Sequence, residues 1–431
     1  MEEKSGKLSE NMKTLKHKIR DLYSRAPLLG WLLGALVAVV FEHFLGDPLA
    51  DILGLPKIPV LFGCVIMLKK PLLIPSVVIF VTLIYILPIS VIARLSTVPA
   101  NRLAAKLLDF PILISVVVHL SLLYATLYMW SEISAYRVLT LKLTLIAVIL
   151  TLSLNVINGY MGEFSCSHPG FMALGAYAAS TFTVVLFVND KLFGAALLPP
   201  WLGPFMFPLA LIAGGIVAAL GALAIAIPSF RTRGDYLAII SLAFMFIIKS
   251  MIENLEVVGG PRGLSSQPDY ASLPIVFLWT IACIWITNNF VRSTLGKALS
   301  AVRDDEMAAN AMTVNTRRTK IVAFLFAAFW AGVAGGLFAH VIRYINPGTF
   351  GLQKLAEVLA MVYFGGLNSV YGSIVGAVSL SLLGEALRPL EIFKWIIIPL
   401  LLILVMIYRP TGLIAFKEFN VRNLIKPKRQ T

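Results

Sequence analysis

Residues 296–312, GKALSAVRDDEMAANAM, hold an unbroken charged run, Arg303-Asp304-Asp305-Glu306, followed by the small residues Ala308, Ala309 and Ala311. The chemistry on offer is recognition between proteins. Good helix formers dominate the stretch, and Leu295, Leu299 and Val302 share one helical face. Asp304 or Asp305 can cap a second short helix, putting acid at its positive end. The alanines keep that helix slim, and a slim capped helix outside a membrane can dock into a partner's groove. A plain exposed loop helix is the alternative.

Catalytic constellations are missing from the sequence. There is no H-E-x-x-H, no pair of carboxylates within an apolar run and no nucleophile elbow. A phosphate-cradling G-x-x-x-x-G-K-[ST] loop is absent too: near LGKA, Val291 stands where its first glycine belongs and Ala298 replaces Ser/Thr. ATP hydrolysis, if used, must come from a partner, and the chain itself is expected to be no enzyme and to hold no cofactor or metal. Cys64, Cys166 and Cys283 are scattered and read as small core residues.

His168, in SCSHPGFM, is a polar group at membrane depth and therefore a functional candidate. A hydrogen-bonded histidine shaping a re-entrant turn is the competing reading. His119 and His340 stand alone in apolar runs and read as satisfied core positions. Two glycine clusters, Gly162/Gly170/Gly175 and Gly365/Gly366/Gly372, lie in stretches that look loosely alike, 161–177 and 364–377. Transporter sites often lie at broken helices in corresponding positions of two halves, although small residues also permit close packing with no further meaning.

The elements that must position these residues are membrane helices. Of 431 residues, 58% are hydrophobic and only 13% charged, far from the roughly one-quarter charge of a soluble domain. Apolar blocks of membrane-spanning length lie at about 27–46, 72–93, 111–130, 137–158, 170–188, 205–228, 235–255, 271–291, 319–343, 353–367, 370–388 and 393–408. The fold class is therefore an all-α integral membrane protein, a polytopic bundle of ten to twelve spans. The lower count applies if 170–188 and 353–367 are re-entrant. Alternating β-barrel segments are not seen. The intramembrane candidates Glu42, His43, Lys142, Lys249 and Glu385 mostly lie near span ends, where they can snorkel.

Charge orients the bundle. Basic residues crowd 1–26, 94–110, 229–234, 292–318 and the tail from 409, which places both termini and the 293–320 loop in the cytoplasm. The net charge of +14 is thus explained by membrane topology and anionic lipid, without nucleic acid. In RTRGDYLAI (231–239), Arg231 and Arg233 anchor at that face, with a further contact to a partner as the other reading. The turn-rich GGPRGL (259–264) falls outside.

GKALSAVRDDEMAANAMTVNTRRTKIVAFLFAAFWAGVAGGLFA (296–339) resembles the cytoplasmic EAA-type loop and following span of branched-chain amino acid ABC transporter permeases, LivM branch. Further matches follow in order: 150–179, RTRGDYLAIISLAF (231–244), GGPRGL (259–264), VYFGGLNSVYGSIVGA (362–377) and YRPTGLI (408–414). The resemblance covers roughly 137–415. It implies a permease of an ABC importer in the inner membrane, paired with a sister permease, driven by two cytoplasmic ATPase subunits and fed by an extracytoplasmic binding protein. Arg303, Asp304, Asp305, Glu306, Ala308 and Ala309 would carry the ATPase coupling. Gly162, Ser165, His168, Phe171, Gly365 and Gly366 are the substrate-pathway candidates, His168 and Phe171 matching the family's G-H-x-x-F pattern with Ser167 in place of its glycine. Thr313 departs from the family pattern, where glycine is usual, which puts the turn between the short helices in question. Domains follow as a basic tail 1–26, an N-terminal extension 27–110 with about two extra spans, a permease core 111–415 and a basic tail 416–431. Leucine, isoleucine or valine is the implied cargo. Permeases for urea and amides, or an ion-coupled secondary transporter, are the alternatives.

Overall fold

The computed structural model describes residues 26–189, 193–230, 236–390, 393–409 and 411–426. Almost the whole N-terminal tail, the Arg231–Asp235 anchor and the last five residues lie outside the described residues.

All twelve apolar blocks are helical. We number the helices α1 (Leu28–Ile52), α2 (Pro71–Leu95), α3 (Thr97–Asp109), α4 (Ile112–Glu132), α5 (Ala135–Met161), α6 (His168–Phe187), α7 (Pro200–Ser229) and α8 (Tyr236–Asn254). There follow α9 (Leu273–Arg292), α10 (Thr294–Asp304), α11 (Glu306–Ala311), α12 (Thr316–Ile342), α13 (Leu352–Gly365), α14 (Val370–Ala386) and α15 (Lys394–Tyr408). Among the described residues, nine helices are long and apolar enough to cross a membrane. The block at 170–188 is one of them, a continuous helix of 20 residues. Helices α13, α14 and α15, of 14, 17 and 15 residues, are shorter. Two strands, β1 (Leu264–Ser265) and β2 (Tyr344–Ile345), pair antiparallel, Leu264 opposite Ile345. They tie the GGPRGL loop to the end of α12.

The chain divides into two compact units. The first comprises 1–138, 386–390 and 420–431, and the second 139–385 and 391–419.

Inside the first unit, Glu42 does not snorkel. It is fully buried, accepts Arg137 Nη2 at 2.7 Å on Oε1 and the Tyr85 hydroxyl on Oε2. Arg137 also donates to the Pro59 carbonyl at 3.1 Å and stacks over Trp130 at 5.0 Å. Glu42 sits mid-helix and facing inward, so a partnered charge there costs less than a long reach to water.

The second unit is organised around α6, α7 and α12, whose backbones touch through glycines. A Cβ on Gly175 would fall 2.2 Å from the Gly332 carbonyl oxygen. Such approach replaces a hydrophobic drive that lipid does not supply. His340, buried in this contact, is satisfied as expected: Nδ1 lies 2.8 Å from the Gly336 carbonyl and Nε2 2.9 Å from Thr183 Oγ1.

Candidate functional site

The charged segment folds as two short helices joined at one extended residue. Ser293 caps α10 by accepting the Gly296 amide, and Leu299 and Val302 pack inward. Leu295, in the first turn, stays 42% exposed, so the apolar face is shorter than its spacing predicts. Asp305 breaks the helix at φ −158°, ψ 107° and its Oδ1 accepts the Met307 and Ala308 amides, each at 2.9 Å. Of the two acids offered as caps, Asp305 is the one used. Asp304 takes the Arg303 guanidinium instead, at 2.7 Å from Nη2.

Helix α11 ends in a Schellman turn. The Val314 amide donates to the Ala309 carbonyl and the Thr313 amide to the Asn310 carbonyl, both at 3.1 Å. Thr313 has φ +68°, the left-handed conformation in which glycine is at ease and a β-branched residue is not. The turn that Thr313 put in question is therefore made, with threonine bearing the strain. Asn315 then caps α12 by accepting the Arg318 amide at 2.9 Å.

Two ties fasten this segment to the bundle. Lys320, in the first turns of α12, places Nζ 2.8 Å from Glu306 Oε2 and 2.7 Å from Glu163 Oε1. Arg303 runs its stem over Gly162 so closely that a Cβ there would fall 2.4 Å from Arg303 Cγ. Gly162 has φ +76° and terminates the π-helical last turn of α5, a form common at functional sites. The structure thus joins Arg303 to Gly162 and, through Lys320, Glu306 to the neighbouring Glu163, across groups that the sequence kept separate. Ala309 is buried, whereas Ala308 is exposed beside Met307 and Met312, 79% and 77% exposed. The two methionines were not singled out from the sequence. An exposed thioether on so polar a stretch was the available signal, because methionine suits adaptable contact surfaces.

Beyond Gly162 the chain enters the core. The Ser165 amide donates to Asn158 Oδ1 at 3.2 Å, and the Ser165 and Ser167 hydroxyls lie 2.9 Å apart. The Cys166 amide donates to Ser241 Oγ, and burial pushes the Cys166 thiol above its ordinary range. His168 opens α6, a full-length helix in place of a re-entrant turn. It is buried and edge-on to Phe171 at 5.9 Å. Phe171 packs against Phe244 and Phe324 at 5.6 and 5.5 Å.

Gly365 and Gly366 end α13. A Cβ on Gly366 would meet the Ile414 backbone at 2.7 Å, because 411–416 returns alongside, with the Ile414 amide donating to the Gly365 carbonyl at 2.8 Å. A residue the sequence did not single out, Asn155, links this break to the end of α5. Its Nδ2 donates to Ser373 Oγ at 2.6 Å and the Ser369 carbonyl at 3.0 Å, and its Oδ1 accepts the Asn368 amide at 3.1 Å. A buried asparagine among apolar residues, one turn before a glycine, was the signal. Asn155, six residues before the first glycine-rich stretch, is thus bonded directly to the second.

The family described as branched-chain amino acid transport system / permease component matches residues 136–407. The high-affinity branched-chain amino acid transport system permease protein LivM of Escherichia coli (strain K12) is 33% identical over 307 residues, covering 63% of this chain and 68% of its own. The corresponding permease protein BraD of Pseudomonas aeruginosa is 30% identical over 149 residues, 33% of this chain and 48% of its own. The autoinducer 2 import system permease protein LsrC of Photorhabdus luminescens is 28% identical over 153 residues, 34% of this chain and 44% of its own. No solved structure matches the chain.

Proposed function

The chain belongs to the family of permease components of branched-chain amino acid transport systems, a family of ABC importer permeases, and from this premise we propose that it forms half of a channel carrying leucine, isoleucine or valine inward. It is a multi-pass inner-membrane protein and the permease subunit of a transport system. In our reading both termini and the loop holding α10 and α11 face the cytoplasm, as the basic residues there favour. A sister permease completes the channel, two ATPase subunits bind the nucleotide, and a binding protein delivers cargo from outside.

Arg303, Asp304, Asp305, Glu306, Ala308 and Ala309 then form the coupling element. The exposed face of Met307, Ala308 and Met312 is the part offered to the ATPase groove. The observation that carries this reading is Lys320 Nζ, held between Glu306 at 2.8 Å and Glu163 at 2.7 Å. Through it, displacement of α11 by closing ATPases is passed to the turn at Gly162–Glu163. That turn ends α5 and leads through Ser165 to His168 and Phe171 on α6. Asn155 extends the same movement to Gly365 and Gly366, so both helix breaks shift together and the path alternates its opening. Gly162, Ser165, His168, Phe171, Gly365 and Gly366 thus act on the path by shaping the breaks beside it.

The test is reconstitution of the complete importer in proteoliposomes. Glu306→Lys is expected to insert and assemble normally and to hydrolyse ATP, with leucine uptake reduced at least about tenfold, equivalent to ~1.4 kcal/mol on the transport barrier. Uptake at the wild-type rate would overturn the coupling assignment.

A further inference from the structure

The segment that follows α15 is fastened along its length to the α13–α14 break. The Leu413 amide donates to the Phe364 carbonyl at 3.1 Å, the Ile414 amide to the Gly365 carbonyl at 2.8 Å and the Phe416 amide to the Leu367 carbonyl at 3.4 Å. The Leu367 amide returns a bond to the Thr411 carbonyl at 3.3 Å. Phe364 and Gly365 are the last residues of α13, whose end carbonyls have no partner within the helix, and these amides supply it. At Gly412 the two backbones touch: a Cβ there would fall 2.5 Å from Gly366 Cα. The same segment reaches α14. Ser369 Oγ donates to the Lys417 carbonyl at 3.2 Å and accepts the Gly372 amide, in the first turn of that helix, at 3.1 Å. Residues 411–417 therefore hold both sides of the break.

The far end of this segment meets the charged run. The Arg303 guanidinium carbon lies 5.7 Å from the centre of the Phe416 ring, within the range of a cation–π contact. Phe416 holds φ +53°, a conformation that a bulky residue ordinarily avoids, and it is 61% exposed. Capping α13 uses the Phe416 backbone and asks nothing of its side chain. Burial does not account for the ring either, whereas the cation beneath it does. Backbone conformations of this kind persist where their surroundings fix them, and they gather at switch regions.

We infer that residues 411–417 are a second arm of the coupling element, in which Phe416 is a positioning residue that ties Arg303 to the α13–α14 break. This rests on the coupling role given to Arg303 above. The route through Lys320 and Glu163 crosses the end of α5 and reaches the break by way of Asn155. The arm bypasses α5. A shift of Arg303 bears on the Phe416 ring, and the backbone bonds of 413–416 carry the end of α13 with it. Asn155 acts on Asn368 and Ser369, ahead of α14, while the arm acts on the carbonyl end of α13. The break is thus driven from both sides.

The complete importer in proteoliposomes tests this, with leucine uptake and ATP hydrolysis measured together and taken as their ratio. Phe416→Ala is expected to lower the ratio about fivefold. Phe416→Trp and Phe416→Tyr keep an aromatic face and should stay within about twofold of wild type. Phe416→Gly separates the arm from a purely structural role. Glycine is at ease at φ +53° and keeps every backbone bond, so this variant should be at least as heat-stable as Phe416→Ala and yet as poorly coupled. Arg303→Met keeps the stem over Gly162 and removes the cation. Combined with Phe416→Ala it should be no worse than the poorer single variant, because both break one contact. The arm is overturned if Phe416→Ala or Phe416→Gly couples like wild type, if Phe416→Trp is as poor as Phe416→Ala, or if the losses of Arg303→Met and Phe416→Ala multiply. Glu306→Lys, measured alongside, separates the arm from the reading beneath it. An uncoupled Glu306→Lys beside a coupled Phe416→Ala rejects the arm alone. A coupled Glu306→Lys, or wild-type vesicles that take up no leucine, rejects the reading and the arm with it.

Discussion

Arg303 lies across Gly162, its Cγ 2.4 Å from where a Cβ on that glycine would stand. The charged run of the 293–320 loop and the end of α5 are thus one packed unit, and the glycine is required twice, by its φ of +76° and by the stem above it.

Gly162→Ala should therefore act as a coupling variant. The methyl group displaces Arg303, and an L-residue at that φ costs about 1–2 kcal/mol. Leucine uptake in the reconstituted importer is expected to fall about tenfold, with ATP hydrolysis retained. An unchanged ratio of uptake to hydrolysis would show that the contact is packing alone.

Thr313→Gly should stabilise the loop. Threonine at φ +68° is strained in the left-handed turn that glycine makes freely, and relief is worth about 1 kcal/mol after glycine's larger unfolded-state entropy is counted. Amide exchange at Asn310 to Val314 should slow about fivefold in the purified variant. Faster exchange would mean that the Thr313 hydroxyl contributes more than its backbone costs.

Asn155→Leu should be severe. It strands the Asn368 amide and the Ser369 carbonyl, each now bonded to the Asn155 side chain, and a buried group left unpaired costs ~1–3 kcal/mol. The thermal midpoint of the detergent-purified protein should drop by several degrees, with a smaller drop for Asn155→Ala because a water can enter. A midpoint unchanged by leucine at this position would remove Asn155 as the link between the two breaks.

In the first unit, Glu42→Ala leaves Arg137 buried without its carboxylate, and breaking such a pair by removing one partner costs roughly 3–5 kcal/mol. The double replacement Glu42→Leu with Arg137→Met removes both charges and should recover most of that loss. Limited proteolysis of membranes carrying each variant reads the order: single variant cut fastest, double variant close to wild type. Equal rates for single and double would assign the loss to volume instead of charge.

Much of this arrangement was legible in the residues. Span positions follow from apolar blocks of bilayer length, because lipid leaves a crossing chain few other forms. A helix break at Asp304 or Asp305 follows from local capping, and the turn at Thr313 was marked by its departure from the family pattern, where glycine is usual. Pairings set by the folded bundle were not legible. Glu42 lies 95 residues from Arg137, and Asn155 lies 213 from Asn368, and neither separation leaves a mark on local pattern. Phe171 and His168 were read as pathway candidates from their motif, and their aromatic packing became visible only with α8 and α12 in place.

Lys320 has two carboxylate partners, so its charge cannot be exchanged with one of them alone. In Glu306→Lys with Lys320→Glu, the new pair faces correctly, but Glu163 now meets a second carboxylate at position 320, where it met an ammonium at 2.7 Å. The double variant should stay as poorly coupled as Glu306→Lys. Adding Glu163→Lys places an ammonium on both sides of the carboxylate introduced at position 320. Uptake should then recover to within about threefold of wild type, the remainder reflecting altered reach of the side chains. Rescue by the double variant would show that the Glu306–Lys320 pair works without Glu163, and the route from α11 into the turn at Gly162 would then have to run through Arg303 alone.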